Sequence, residues 1–300
     1  MSVLEFLTSS EMKAVISRKG EQRPDFQTVK FMLGLERIYE YAHSVGLSDP
    51  DLRAVAPPIP PVSLRNVTAA SEEPIFLWTG AVDIQNFLTI FSSHSQVERP
   101  AVLDFGCGCG RLSRYFEGCD TYQVSATDIN PDLVDWCKAN LRRIDTRLNQ
   151  LRPPAPFPDN QFDLIYTLSI FTHLPRVVTE AWLADFGRML KPGGILIATT
   201  HGQHAVDTIR SSALHQTMFA LSHQEIEAIN SRLPNEKYIF VRYADPVIEL
   251  AKAGPEYGNS FMHPEFAAQH WNTTPWKLLE HRPGGLRYWQ DIYVLQKTIS

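Results

Sequence analysis

The sequence predicts an α/β fold with a mostly parallel sheet, and three observations lead to this prediction. Short apolar runs of strand length alternate with segments whose apolar residues recur at helical spacing. A glycine-rich stretch directly follows the first clear strand, and an acidic residue ends the next one. This order of strand, glycine loop and helix is typical of sheets that bind a nucleotide-like ligand at their carboxyl edge.

Composition sets the scale of the fold. The chain has 300 residues, of which 44% are hydrophobic and 20% are charged. These values allow a full buried core, organised either as one enlarged domain or as one domain with appendages.

The first element is a strand over residues 101–105, followed by a loop with glycine at every second position. The sequence Asp-Phe-Gly-Cys-Gly-Cys-Gly occupies residues 104–110. Gly106, Gly108 and Gly110 let the backbone turn sharply and approach a ligand closely, which a Cβ atom would obstruct. The loop is therefore the predicted ligand-binding element.

The spacing and the preceding acid indicate the kind of ligand. A dinucleotide site has the pattern G-x-G-x-x-G, so the pattern G-x-G-x-G disfavours an NAD-dependent oxidoreductase. Asp104 is expected at the strand tip, where its carboxylate can pair with a cationic group. The implied ligand has a ribose and an amine and needs no phosphate.

The second strand covers residues 122–127 and leads into Asp128, eighteen positions beyond Gly110. A carboxylate at about this distance accepts hydrogen bonds from both vicinal hydroxyls of a ribose. The alternative is that Asp128 only caps or turns the chain. A helix is expected to follow, with Asn130 as its N-cap and Pro131 at its first position.

The remaining core elements follow in an order that fits alternating strands and helices. They are a turn and strand over residues 156–166, a helix over 183–190, a Lys-Pro-Gly-Gly turn at 191–194 and a strand over 195–198. Near the C-terminus we expect a helix over 264–271 and strands over 276–282 and 289–296, with Gly284 and Gly285 forming the turn between the two strands.

These motifs resemble those of the class I S-adenosylmethionine-dependent methyltransferases. The loop resembles the family's first motif, an acid followed by x-G-x-G-x-G. The stretch Pro-Phe-Pro-Asp-Asn-Gln-Phe-Asp-Leu-Ile-Tyr and the Lys-Pro-Gly-Gly turn are similar to later family motifs. The resemblance covers roughly residues 98–200. It implies a Rossmann-like three-layer sandwich whose seven-stranded, mostly parallel sheet ends in an antiparallel C-terminal hairpin.

The resemblance also implies S-adenosylmethionine as the cofactor and assigns residues to its site. The expected cofactor contacts are Asp104, Gly106, Cys107, Gly108, Gly110, Asp128, Ile129, Leu151, Thr167 and Leu168. One departure concerns the adenine. Relatives often carry an acid and a small residue shortly before the Pro-Phe-Pro-Asp stretch, whereas this chain has Asn-Gln-Leu-Arg-Pro-Pro at residues 149–154. The adenine contact is therefore assigned to the region of Gln150 or Leu151, through a side-chain amide or the backbone.

The segments outside the core suggest four regions. An N-terminal helical segment with a proline-rich linker is expected at 1–61, the cofactor-binding core at 62–202, a substrate-side cap at 203–256 and the C-terminal part of the core sheet at 257–300. The N-terminal helices could be a lid, a dimerisation element or a structural cap, and the sequence leaves the oligomeric state open.

Four residues are candidates for handling the methyl acceptor. His173 follows the fourth strand and is either a general base or a residue that only shapes the pocket. His201 follows the fifth strand, while Tyr257 and His263 bound a predicted loop over residues 257–263. These three are expected substrate contacts.

Charge and cysteine content exclude several classes of protein. A net charge of −5 without a basic cluster argues against binding to long nucleic acids. No apolar run approaches membrane-spanning length, and no signal pattern is seen at the N-terminus, so a soluble cytoplasmic protein is expected. Cys107 and Cys109 lack further ligands at metal-binding spacing, so neither a metal site nor a disulfide is predicted.

Two functional hypotheses follow. The first is a methyltransferase that acts on oxygen or nitrogen of a small molecule such as a natural product, sugar or related metabolite. The second is a non-catalytic protein that keeps the fold as a scaffold or ligand sensor. The intact set of Asp104, three glycines and Asp128 favours the first.

Overall fold

A computed structural model of the chain describes residues 57–68, 71–117, 119–252 and 254–298. The predicted helical segment at residues 1–56 lies outside these ranges. The chain divides into two compact units, Met1–Leu148 and Asn149–Ser300. Within the described residues, no helix is both long and apolar enough to cross a membrane.

The described elements of the first unit are three helices, a 3₁₀ turn and three strands. In chain order they are α1 (Val62–Val67), α2 (Glu73–His94), β1 (Ala101–Phe105), the 3₁₀ turn (Ser113–Phe116), β2 (Gln123–Asp128), α3 (Pro131–Asn140) and β3 (Asp145–Leu148).

The three strands of this unit pair in parallel, β1 with β2 and β2 with β3. Every residue of β1 is buried, as expected for a strand inside a parallel sheet. The start of α3 is as predicted: the Asn130 side chain accepts a hydrogen bond from the Asp132 N–H at 3.0 Å, and Pro131 begins the helix.

The second unit contains the remaining elements. In chain order they are β4 (Phe162–Thr167), α4 (Arg176–Met189), β5 (Leu190–Thr200), α5 (Gln203–Arg210), α6 (Ala213–Met218), α7 (His223–Glu236), β6 (Tyr238–Arg242), α8 (Asp245–Ala251), β7 (Gly258–Met262), α9 (Pro264–Phe266), a π-helical turn (Ala267–Trp271), β8 (Trp276–Leu286) and β9 (Gln290–Lys297).

Seven strands form one sheet in the order β3-β2-β1-β4-β5-β9-β8, and β6 and β7 form a second, two-stranded sheet. β4 and β5 are parallel, whereas β9 runs antiparallel to both of its neighbours. This arrangement confirms the predicted Rossmann-like α/β fold with an antiparallel C-terminal hairpin.

The predicted position of the hairpin turn is wrong. Gly284 and Gly285 lie inside β8, at an irregularity in its pairing with β9, and the turn is made by Arg287 and Tyr288 with φ of 54° and 56°. A Cβ atom on Gly285 would lie 2.6 Å from the Arg282 Cβ. The two glycines therefore serve a bulge within the strand, while non-glycine residues adopt the left-handed turn.

The predicted loop over residues 257–263 is also wrong, because its central part is β7, which is fully buried and pairs antiparallel with β6. Glycine, asparagine and serine dominate its first half, and these residues are depleted in strands. The pairing crosses the predicted boundary between residues 256 and 257. That division into regions stays a prediction.

The segment after β5 has a small hydrophobic core of its own. Its buried members come from α5, α7, β6, β7 and the chain before α7: Val206, Ile209, Leu221, Ile226, Ile229, Leu233, Ile239 and Phe261. Ser222 caps α7 in a reciprocal capping box with Glu225. Trp289, next to the hairpin turn, packs against this cluster.

A buried carboxylate sets a strict size limit just after β5. Asp291 accepts a hydrogen bond from the Gly284 N–H at 2.9 Å, and its other oxygen lies 2.8 Å from His281 Nε2. A Cβ atom built on Gly202 would lie 2.1 Å from that carboxylate. The backbone of Gly202, with φ of −93°, is open to any residue, so only space excludes a side chain.

We expect Gly202→Ala to destabilise the protein by about 2–3 kcal/mol, because the buried Asp291 must give up part of its bonding to make room. Gly187→Ala in α4 is the matched control, since its Cβ would first meet Pro275 at an ordinary 3.4 Å. That variant should be neutral or gain up to about 1 kcal/mol from helix propensity. Urea unfolding measures both, and equal stabilities for the two variants would contradict the packing argument.

Candidate functional site

The glycine loop leaves β1 in a conformation that side chains rarely adopt. Gly106, Gly108 and Gly110 have φ of 80°, 57° and 77°. The amides of Gly106 and Cys107 donate to the Thr127 carbonyl at 2.8 and 2.9 Å. The loop is thus anchored to the end of β2 at its first turn.

Asp128 holds the next part of the loop. Its Oδ2 accepts from the Gly108 N–H at 2.8 Å, and its Oδ1 accepts from the Asn130 N–H at 2.9 Å. Burial raises the pKa of this half-buried carboxyl, and hydrogen bonds from the amides of Asn130, Gly108 and Ile129 oppose that rise. Each carboxylate oxygen can accept a second hydrogen bond, so the same group can hold the loop and bind hydroxyls.

Two of the glycines also face neighbouring side chains of the protein itself. A Cβ on Gly108 would lie 2.6 Å from the Thr68 methyl group, and one on Gly110 would lie 2.4 Å from Leu141 Cδ1. Sequence reasoning assigned these glycines to close approach by a ligand alone. Contacts within the first unit are a second and independent reason for glycine at both positions.

Asp104 and Cys107 lie on the buried side of the loop. Asp104 is buried at the end of β1 and accepts a short hydrogen bond from the Ser113 hydroxyl. A hydrogen bond with Cys137, burial and the nearby carboxylates all raise the pKa of the Cys107 thiol, which stays protonated. Cysteines 107, 109, 119 and 137 are buried free thiols, and no described group of three potential ligands could hold a metal ion.

In the second unit, buried polar atoms without a partner gather at the carboxyl ends of β4 and β5. They are Thr167 Oγ1, Thr200 Oγ1 and His201 Nδ1, and none has a hydrogen-bond partner within the described part of the chain. Parallel strand ends of this kind are where α/β sheets bind their ligands. Leu168 is buried beside them, whereas Leu151 is 43% exposed.

The turn after β4 contains a residue that sequence reasoning missed. Ser169 has φ of 59°, its N–H donates to Thr199 Oγ1 at 2.8 Å, and its hydroxyl bonds the Gln290 side chain. A non-glycine residue rarely adopts this left-handed conformation, and the hydrogen bonds with two neighbouring side chains hold Ser169 in it. No local sequence signal marks it.

Strand β7 positions two of the three candidate histidines, His173 and His201. The Gly258 N–H donates to the His173 carbonyl at 3.1 Å, and the Met262 N–H donates to the His201 carbonyl at 2.8 Å. The two histidines are therefore fixed by one strand that sequence reasoning did not identify.

His173 is held in one tautomer. Its Nδ1 lies 2.9 Å from the Gly258 carbonyl oxygen, which can only accept, so Nδ1 carries the proton. Nε2 is consequently left with its lone pair. Burial lowers the pKa of His173 to about 4, so the ring is neutral at pH 7.

His201 is buried more deeply, with 2% of its surface exposed. Burial and the neighbouring His173 lower its pKa to about 3, against a hydrogen bond with the Ser260 backbone that raises it. The His173 and His201 rings lie 6.4 Å apart between centroids. No carboxylate, lysine or arginine side chain contributes to either pKa shift.

Aromatic rings surround these histidines. The Tyr257 ring lies 4.8 Å from His173, and the Phe219 ring lies 5.2 Å from His201. The structure thus brings together three of the four predicted acceptor residues, His173, His201 and Tyr257. The fourth, His263, accepts from the Glu265 N–H as the N-cap of α9, and none of its described contacts is with these rings.

A family model described as a methyltransferase domain matches residues 102–194. Curated relatives include a sterol 24-C-methyltransferase of Gibberella zeae, 32% identical over 99 residues (31% of this chain and 26% of the relative). A 2-methyl-6-phytyl-1,4-hydroquinone methyltransferase of Synechocystis is 29% identical over 115 residues (34% and 32%). A malonyl-[acyl-carrier protein] O-methyltransferase of Enterobacter lignolyticus is 29% identical over 139 residues (44% and 52%).

The chain spans between 26% and 52% of the length of these relatives. Among solved structures, a 1,6-didemethyltoxoflavin-N1-methyltransferase of Burkholderia thailandensis is similar over 81% of this chain and 93% of that one, with 16% identity and a TM-score of 0.48. The segment matched by the family model includes the glycine loop, Asp128 and β4. Residues 102–194 thus match a methyltransferase domain, within a chain whose sheet has the class I, Rossmann-like strand order.

Proposed function

We propose that this protein transfers the methyl group of S-adenosylmethionine to an oxygen or nitrogen of a small-molecule acceptor. The observation that carries the proposal is the glycine loop with three left-handed glycines, held by Asp128 inside the matched methyltransferase domain. The names of two relatives, which specify a sterol and a hydroquinone as acceptors, support a small acceptor.

The residues present fit the cofactor. The Asp128 carboxylate has acceptor capacity left for two ribose hydroxyls, and the adjacent Ile129 would border the same sugar. Asp104 supplies a negative charge behind the loop for the amino group. The cofactor contacts predicted for Thr167, Leu168 and Leu151 stay predictions, and the Thr167 hydroxyl has no hydrogen-bond partner among the described residues.

When bound, S-adenosylmethionine supplies a methyl group that is already activated by its positive sulfur, so the protein mainly has to orient the acceptor. His173 is suited to this task, because Nε2 accepts a hydrogen bond from an acceptor O–H or N–H. An imidazole with a pKa of about 4 is a weak base. It is sufficient nevertheless, because an oxygen or nitrogen that gains a methyl group becomes a much stronger acid.

We expect Asp128→Ala to weaken S-adenosylmethionine binding by at least ~10²-fold, since it removes charge-assisted hydrogen bonds of roughly 1.5–3 kcal/mol each. Calorimetric titration measures the affinity, and thermal unfolding shows whether the fold survives the loss of the loop contacts. Asp132→Ala removes an exposed carboxylate four positions away and should leave the affinity within about 2-fold. An Asp128→Ala protein with the wild-type affinity would disprove the ribose assignment.

For His173, the expected effect of His173→Ala is a loss of turnover of ~10²-fold or more with cofactor affinity unchanged. The neutral ring is the active form, and its pKa is lowered to about 4, so wild-type activity should stay level through pH 6.5 and fall only towards pH 4. Tritiated methyl transfer into candidate metabolites supplies the acceptor and the assay.

The exposed His223 provides the control, because His223→Ala should keep the turnover and pH profile of the wild type. A clear inflection near pH 6.5 in the wild type, or full turnover in His173→Ala, would show that His173 does not act on the acceptor.

A further inference from the structure

Two buried side-chain nitrogens of the second unit have no hydrogen-bond partner among the described residues, Trp271 Nε1 and His201 Nδ1, and of these two only the histidine nitrogen can accept a hydrogen bond. The Ser260 backbone bonds the ring and raises its pKa, as a carbonyl that accepts from the ring N–H would do. The proton therefore resides on Nε2, and Nδ1 has a lone pair. Buried acceptors in folded proteins almost always receive a hydrogen bond, so this atom points to a donor that arrives with a ligand.

The surroundings of this nitrogen are rings. Phe219 lies 5.2 Å and Trp289 5.9 Å from His201, both edge-on, and these two rings are themselves 5.3 Å apart. Phe219 and Trp289 are only half-buried, as are Tyr243 and Tyr257 next to His173. Such partly exposed rings offer faces and edges to a planar ligand.

The ring contacts favour an aromatic ligand over a sugar. Nδ1 is covered in this structure, so a ligand reaches it by taking the place of a ring that now packs against the imidazole. An aromatic ligand restores the edge-to-face contact that Phe219 makes, whereas a sugar or an aliphatic chain forfeits it.

The charges favour a neutral ligand. Both imidazoles are uncharged and present lone pairs, and the nearby Tyr243 hydroxyl donates to Asn259 Oδ1. An anionic group placed against these lone pairs would lose its hydration without gaining a cation from either histidine.

We propose that the methyl acceptor is an uncharged aromatic molecule with an O–H or N–H donor, and that His201 selects it by accepting that hydrogen bond at Nδ1. That this ligand is the methyl acceptor rests on the proposed function, whereas its recognition rests on residues of the second unit alone. His201 is thus a specificity-determining residue.

Three probes with one ring system test the ligand class in the wild-type protein. They are 1-naphthol, which has a donor, 1-methoxynaphthalene, which lacks it, and 1-naphthoate, which is charged. Calorimetric titration without cofactor should show 1-naphthol binding at least ~10-fold tighter than either of the others. A preference of less than 3-fold, no binding of 1-naphthol, or tighter binding of 1-naphthoate would each overturn the proposal.

Variants assign the preference to His201. His201→Phe keeps a ring and should reduce 1-naphthol binding to the level of 1-methoxynaphthalene, whose own affinity should stay within about 2-fold. His201→Asn places an amide oxygen near the position of Nδ1 and should restore part of the preference. Trp289→Leu is the control for the aromatic surroundings, and it should weaken both neutral probes equally. Circular dichroism checks that each variant is folded.

A full donor preference in folded His201→Phe would overturn the role of His201, and the Asn variant decides the question if His201→Phe does not fold. The proposed function fails separately. Donor-selective binding without any methyl transfer from S-adenosylmethionine would contradict the methyltransferase proposal and leave the recognition by His201 standing. Methyl transfer into a charged or non-aromatic acceptor would overturn the aromatic class alone.

Discussion

The backbone geometry of the first unit's ligand-binding edge depends on one carboxylate, which accepts hydrogen bonds from a backbone amide before it and from one after it in the sequence. Asp128 receives the Gly108 amide through one oxygen and the Asn130 amide through the other, so the glycine loop and the start of α3 share a single anchor. Without the Asp128 carboxylate, only the Gly106 and Cys107 amides would still connect the loop to the end of β2, and the part of the loop after Cys107 would lose its hydrogen bond to this strand. The predicted choice between a ribose acceptor and a structural cap is therefore not exclusive, because a carboxylate has enough lone pairs for both.

In the second unit, burial keeps the two central histidines, His173 and His201, in their neutral form. His173 and His201 are kept neutral mainly because burial disfavours their charged forms, and for His201 the neighbouring His173 adds to this effect. Strand β7 fixes the tautomer of His173 through the Gly258 carbonyl. Both rings therefore present lone pairs and no positive charge, so they can accept hydrogen bonds from a ligand. Such neutral groups are sufficient for a reaction whose methyl donor is already activated.

Local patterns predicted the local structure well. The two strands, the glycine loop and the capped helix within residues 101–140 were correct because each signal lies within a few residues of the element that it specifies. The helix expected directly after the glycine loop was wrong, since only the 3₁₀ turn Ser113–Phe116 forms there. β7 was missed because its residues are poor strand formers and its key partner, His173, lies 85 positions away in the sequence. Gly284 and Gly285 were misassigned for a related reason: glycine marks a tight backbone but does not tell a turn from a bulge.

The unpartnered atoms at the ends of β4 and β5 link stability to function. Thr167, Thr200 and His201 each bury a polar atom without a bond, and each such atom costs roughly 1–3 kcal/mol. Apolar residues of similar shape would avoid this cost, so the fold alone gives no reason for polar residues at these three positions at the ends of two neighbouring strands. A ligand that bonds these atoms recovers the cost on binding, and the same atoms that weaken the empty protein then strengthen its complex. Under the proposed function, the ends of β4 and β5 would therefore be where selection for binding outweighs selection for stability.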